Sequence, residues 1–514
     1  MLPEWLTFYP SIASPEAYVP VMIAVVVLVA AIMRKSYLFV PLMMWACPWP
    51  KLFSIGITNE NFETIAGGTI VSTARPGGSL GELVVFAGFI VLVLRLMQGR
   101  TSRRGIVARP LLAWIMVVLL SSVVGVFLSD VYRAPYVLHA LRYAATLACY
   151  FIARHLTSNV PLKNLSKRVG WWLFVSGNTY VALAFIYYLL WGCTKSPWVD
   201  QVAVGSGGVW RNYLFFFDYA YDYGLFGSSI CALDMVIYST SRNRALRVVA
   251  LVGGALSGIT VVMSGERGCL LLLAATLLGL GWLVVTKRTA MRVRAGVVAA
   301  VIAVLLATVT YSVAFPAEGM TAKMANTSKD IGEDAGELAI QTGVDPSLAY
   351  WIGGLRIGDW ALRLSLMAGS VTYFLQHPLG VGYDGELAAT GWFAHHDLFK
   401  LAVEEGALGL IVFAFLIIRI VRFCSIRAVS GRDGPASDAA RTVVAAAAFA
   451  ILAGMIFAVT TIFSLKFGFL FWTLLGVTDP PLAPGRKKQA SPARVVFSNR
   501  LGPPTPHVQG TPAC

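Results

Sequence analysis

The chain has 514 residues, of which 57% are hydrophobic and 13% charged, with a mean hydropathy of +0.70 and a formal net charge of +15. Soluble domains carry about 25% charged residues, so this composition excludes a water-soluble globule and points to a chain that crosses a bilayer many times. The positive charge does not mark a nucleic-acid binder, because the basic residues gather mostly in loops on one side, as the positive-inside rule requires.

Apolar runs near the ~20 residues that cross a bilayer fall at roughly 18–33, 37–54, 80–97, 110–128, 135–153, 170–192, 220–239, 247–264, 269–286, 295–315, 398–419, 442–460 and 461–477. The expected fold is therefore all-α, a polytopic bundle of about 12–13 transmembrane helices. Loops after the odd-numbered spans carry the basic clusters, from Arg34 and Lys35 to Arg419, Arg422, Arg427, Arg432 and Arg441. Asp433, Asp438 and Asp479 are the acids that share that side. This alternation puts these loops and the C-terminus in the cytoplasm and the N-terminus outside. The first residues, MLPEWLTFYPSIASPEAY, lack the basic region of a cleavable leader.

Four regions follow: a membrane region of about ten spans at 1–315, a large outer loop at 316–397, C-terminal spans at 398–478, and a basic tail at 479–514 that reads as disordered. A loop of the length of 316–397 is uncommon unless it has a role. Its polar, helix-compatible stretches predict a helical periplasmic subdomain. The seven cysteines are scattered without a C-x-x-C pair, so neither a disulfide framework nor a metal site is expected.

Candidate chemistry lies on the outer side. Arg267 sits in M-S-G-E-R-G, in so short a hairpin that its guanidinium must lie at or below the headgroup level. The plain alternative is a loop arginine beside Glu266, but charges at that depth are costly and tend to be functional. Arg211 precedes N-Y-L-F-F-F-D-Y. It suits either an interfacial aromatic belt or an anion site flanked by sugar-stacking rings. Arg142 lies inside the fifth span, one turn from His139, and Arg356 and Arg363 lie in the large loop. Guanidinium forks match phosphate geometry and stay charged at any pH, so several outward arginines suggest a diphosphate held at the membrane boundary.

Three of the six histidines, His377, His395 and His396, lie near the end of the loop. His377 precedes Pro378 and reads as helix-end punctuation. His395 and His396 sit beside Asp397 at the mouth of the eleventh span. A general base suits them better than a metal, because no third ligand has conventional spacing. Glu404 and Glu405 interrupt that span and read equally as acid/base groups or as interface-facing structural residues.

Three blocks together give a resemblance. M-S-G-E-R-G-C-L-L-L-L resembles a T-G-S-R-G-A block, with Arg267 at its arginine and Glu266 where serine is usual. R-L-S-L-M-A-G-S-V-T-Y-F-L-Q-H-P-L-G-V-G resembles an R…h-P-l-x-G-x-G block whose spacing favours Arg363 over Arg356. A-H-H-D-L-F-K-L-A-V-E-E-G-A-L-G-L is similar to a third block in which His395, Glu404, Gly406 and Gly409 take the shared positions and His396 stands for asparagine. In this order and spacing, the blocks resemble the bacterial O-antigen ligase and Wzy-type polysaccharide polymerase superfamily, over roughly residues 80–475.

That resemblance implies a GT-C-like glycosyltransferase of the bacterial inner membrane, without metal or other cofactor. It would take a glycan from an undecaprenyl-diphosphate carrier at the periplasmic face. His395 would serve as base and Arg267 as a catalytic cation. Arg211, Arg363, Arg142, Glu404, His396 and Arg356 would form the diphosphate and glycan site. Expected partners are the lipid-linked donor, a glycan or lipid acceptor, membrane lipids, and a flippase or chain-length regulator. Polymerisation of exopolysaccharide or O-antigen repeats leads. Ligation of finished glycan to lipid A–core or another acceptor is the near alternative, since the motifs do not encode the acceptor. A transporter or flippase for lipid-linked sugars is the rival from another class. It calls for charges along a path and repeated halves, whereas only Arg142 is expected deep in a span and no repeat is evident.

Overall fold

The computed structural model describes residues 15–48, 51–54, 77–99, 105–128, 134–191, 220–263, 267–286, 368–383, 385–386, 397–427, 442–451 and 465–479, with isolated positions at 298, 301–302, 306 and 390. The chain is the helical membrane bundle that its composition requires. In order, the helices are α1 (Pro15–Arg34), α2 (Phe39–Ala46), α3 (Leu80–Met97), α4 (Ala108–Leu128), α5 (Ala134–Thr157), α6 (Leu162–Trp191), α7 (Ala220–Thr240), α8 (Arg244–Met263), α9 (Arg267–Thr286), α10 (Asp397–Arg427) and α11 (Leu465–Thr478). Further helical stretches lie at 368–376 and Thr442–Ile451.

Among the described residues, five helices are long and apolar enough to cross a membrane, at Leu80–Met97, Ala108–Phe127, Lys167–Ile186, Arg244–Val262 and Leu398–Phe423. Their outward faces carry large bare apolar side chains. Phe127 is 81% exposed and Met116 58%, a surface that lipid rather than water must cover. Across the bundle the inward faces hold the core, with Trp114 of α4, Tyr143 and Tyr150 of α5, Tyr223 of α7 and Phe423 of α10 fully buried.

One span differs from its reading. The run at 37–54 is helical only to Ala46, and Lys51–Ser54 forms a strand antiparallel to Gly77–Ser79. Pro48 and Pro50 explain the stop, since proline lacks the N–H and its ring clashes with the preceding turn. The second strand leads into α3 through a capping box. Ser79 N–H donates to Glu82 Oε2 at 2.6 Å, and Glu82 N–H donates to Ser79 Oγ at 3.4 Å.

A buried carboxyl closes the cytoplasmic end as the charge alternation assigns it. Asp479, directly after α11, accepts from Ile106 N–H (3.2 Å) and Val107 N–H (3.1 Å), the backbone donors that lead into α4. Tyr150 of α5 donates its phenol to the same carboxylate, and Arg154 donates to the Asp479 carbonyl at 2.5 Å. One residue thereby ties α11, α5 and the start of α4. A second buried carboxyl, Asp234 of α7, accepts from the Asn178 amide of α6 at 2.9 Å. Arg142 is therefore not the lone ionisable group within the spans.

Removing the Asp479 acceptor strands two backbone donors and leaves Arg154 with a weaker partner. Asp479→Ala should cost about 2–4 kcal/mol, and Asp479→Asn, which keeps an acceptor, clearly less. Thermal unfolding of the detergent-solubilised protein, followed by tryptophan fluorescence, checks this; equal midpoints for both variants and wild type would refute it.

Candidate functional site

The site forms where α10 breaks. Its helix is interrupted at Gly406, with φ 66° and ψ −164°. A break in apolar surroundings frees backbone carbonyls and N–H groups that need partners. The turn Pro378–Tyr383 supplies them. Val381 N–H donates to Val403 O at 3.0 Å, and Gly382 N–H to Glu404 O at 2.8 Å. In return Ala407 N–H donates to Pro378 O at 2.9 Å. Gly380 and Gly406 both take positive φ (81° and 66°), and a Cβ on either would collide with the backbone of the other strand of this joint. Only glycine meets both demands.

Upstream, the helical stretch 368–376 ends at His377, whose N–H donates to Tyr373 O at 2.9 Å and whose ring packs on Tyr373. The reading of His377 as a helix-end residue matches this geometry. Burial raises the Tyr373 phenol above its ordinary pKa.

Helix α4 backs the joint. Ser121 donates to Glu405 Oε2, Ser122 Oγ accepts from Tyr383 N–H at 3.3 Å, and Gly125 lies against the Val381 carbonyl. Glu404 holds the other side. Its Oε1 lies 3.5 Å from Lys400 Nζ and accepts from Glu386 N–H at 3.5 Å. Ser370 Oγ donates to Glu386 Oε1 at 3.4 Å. Glu386, Glu404 and Glu405 are all buried. Tyr383 stacks on Tyr143 of α5, with centroids 4.9 Å apart and planes 8° apart, and Lys400 Nζ lies 6.0 Å from the Tyr383 centroid.

Next to Tyr143, Arg142 reaches Glu82 Oε1 through Nε (2.7 Å) and Nη2 (2.6 Å). An anionic ligand at Arg142 would share it with the carboxylate that caps α3. Of the expected site residues, Glu404 thus lies at the joint, and Arg142 is the chain neighbour of Tyr143, which stacks on Tyr383 there. Arg267 is placed as the first residue of α9. Arg211, Arg356, Arg363, His395 and His396 lie outside the described residues, as do the bulk of the 316–397 loop and the tail after Asp479. His395 and His396 immediately precede Asp397, where α10 begins.

Sequence reasoning passed over Glu82, Lys400 and Glu386. Two of them carried a signal. Ser79-x-x-Glu82 at the head of an apolar run is a capping box, and Lys400 and Glu404 are an i,i+4 pair. Glu386 carried none, because its burial depends on the folded loop.

Residues 252–414 match a family model described as O-antigen ligase. All three motif blocks fall inside this stretch, so the match bears out the resemblance read from them. The turn, both glutamates and the break lie inside it too, whereas Glu82, Ser121, Ser122 and Arg142 lie outside. No curated protein matches the chain.

Gly406→Ala should unseat the turn, since a Cβ there meets the Pro378 carbonyl and non-glycine residues resist this φ. Hydrogen exchange at the Val381 and Gly382 amides should quicken by about tenfold or more, as ~1.4 kcal/mol of lost protection implies. Mass-spectrometric exchange over 378–386 checks it, and unchanged protection would contradict the stitched joint.

Proposed function

We propose that this multi-pass membrane protein, which carries an O-antigen ligase-type region at residues 252–414, transfers a glycan from a polyprenyl-diphosphate carrier to an acceptor hydroxyl at the periplasmic face. The observation that carries the reading is the joint itself. The three motif blocks of the matched stretch include a turn and a broken helix that are hydrogen-bonded to each other, and the break lies on the helix that His395 and His396 immediately precede.

In this reaction the acceptor oxygen attacks the anomeric carbon while His395 takes its proton. The bond between that carbon and the diphosphate oxygen breaks, and the diphosphate leaves with the electron pair. Fixed cations stabilise that growing charge. Arg267 is assigned this role with Arg211 and Arg363, and the first-turn N–H groups of α9 add to the positive field at Arg267. Arg356 and His396 are assigned to the glycan side. Glu404 grips the loop through both its carbonyl and its carboxylate, so its part is to hold the loop in place.

The leading acceptor is the growing chain of repeat units, which makes the enzyme a polymerase in the cytoplasmic membrane. The description of the matched family favours the second reading, ligation to a lipid acceptor. Deleting the gene separates them. Single repeat units on the acceptor indicate a lost polymerase, and long glycan retained on the carrier indicates a lost ligase.

His395→Ala should abolish transfer while lipid-linked precursor still reaches the periplasmic leaflet. Loss of glycan with precursor trapped in the cytoplasmic leaflet would instead support a transporter. Arg267→Lys keeps the charge but loses the fork, and should lower turnover by about 100-fold. Near-normal turnover with a purified lipid-diphosphate donor would remove Arg267 from the diphosphate site.

A further inference from the structure

Glu405 is a fully buried carboxyl beside a break in a membrane helix, and neither the motif blocks nor the transfer chemistry above uses it. A carboxyl in such a place is expensive and tends to be kept for a reason. Its only described hydrogen bond comes from Ser121, and its Oε1 has no hydrogen-bond partner among the described residues. The fold makes room for it: a Cβ at Gly409, one turn on, would collide with the Glu405 Cβ, with Trp114 3.7 Å beyond.

Its position matters mechanically. Glu405 is the last residue before the break, so it ends the arm Asp397–Glu405. Helix α4 holds this arm through Ser121, and one residue on it holds the turn through Ser122 and Tyr383 N–H. Gly125, one turn further, abuts the Val381 carbonyl. Arm and turn are thereby fixed to one face of one helix. The arm is about 12 Å long at 1.5 Å per residue, so a tilt of about 10° at Glu405 moves its far end by about 2 Å. In the chain, His395 stands two residues before that far end. A misplacement of 1 Å can cost on the order of 100-fold in rate.

We propose that Glu405, acting through Ser121, is a positioning residue for the transfer reaction. It sets the angle of the α10 arm against α4 and so the placement of the base that precedes the arm. This rests on the transfer reading above, and the serine it acts through lies outside the matched family stretch. Glutamine supplies both an oxygen and an N–H to Ser121, so it satisfies the contact without an ionisable group.

The test uses the full chain in proteoliposomes with a lipid-diphosphate-linked glycan donor. Wild type, Glu405→Ala, Glu405→Gln and Ser121→Ala are compared. A second readout is independent of activity. Spin labels go on cysteines at the partly exposed Phe399 of the arm and the exposed Leu112 of α4, and their distance distribution is measured. Glu405→Ala should lower kcat by about 100-fold with KM within about threefold, and should broaden the distribution. Ser121→Ala should follow it, and the double variant should add little. Glu405→Gln should keep at least about half the wild-type kcat, the same pH profile and the narrow distribution. A Glu405→Gln variant as inactive as Glu405→Ala with unchanged distances would overturn positioning in favour of proton chemistry. An unchanged distribution in Glu405→Ala overturns it outright. Absence of transfer by the wild type defeats the reading of the preceding subsection instead.

Discussion

The break at Gly406 and the turn bound to it form the constraint on which the rest depends. In a bilayer, every backbone N–H and C=O must find a partner within the protein. A helix can stop short of its span only where another segment supplies the missing bonds. Here three hydrogen bonds do so, between the Val403 and Glu404 carbonyls, the Ala407 amide and a six-residue turn. The exchange runs both ways. The turn has no regular ladder of its own and borrows its order from the helix. Loop and helix are therefore one structural unit, although 20 residues separate Val403 from Tyr383 in the chain.

Charge is handled in the same manner at both ends of the bundle. Near the outer ends, Glu82 caps α3 with one oxygen and receives Arg142 with the other. At the opposite end, Asp479 serves backbone donors, a phenol and a guanidinium at once. Neither carboxylate is a simple ion pair. Each completes the start of a helix and joins it to a second one, which offsets the desolvation that an isolated pair would carry. Asp234 is the contrasting case, with an amide as its described hydrogen-bond donor.

The sequence was informative where a signal repeats locally. Apolar runs gave the spans, alternating basic loops gave an ordering of sides, and the P-L-G-V-G turn and E-E-G triplet stood out because a proline–glycine turn and paired acids interrupt otherwise apolar sequence. What the turn binds was not legible. Periodicity says which face of a helix is apolar, not which helix it meets, so Ser121 opposite Glu405, 284 residues away, left no trace. The same holds for Asp479 and Ile106, separated by 373 residues. Arg142 stood out but its partner did not, since Glu82 lies 60 residues earlier and only the fold brings the two together.

The Asp479 clasp also bears on the order in which the protein can assemble. Helix α4 carries the serines that seat the turn and the broken helix, yet the donors leading into α4 are satisfied by a residue that follows α11. Helices emerge from the ribosome in sequence, and a nascent chain folds from its N-terminal side. For most of synthesis α4 is thus present in the membrane with its lower end unfinished. The end of α4 that Asp479 completes therefore waits for α11, about 21 Å along the helix from the serine that holds the broken helix. Translation order and site order run in opposite directions, and a chain stalled before Asp479 would hold every motif residue without the fastening that completes the helix behind them.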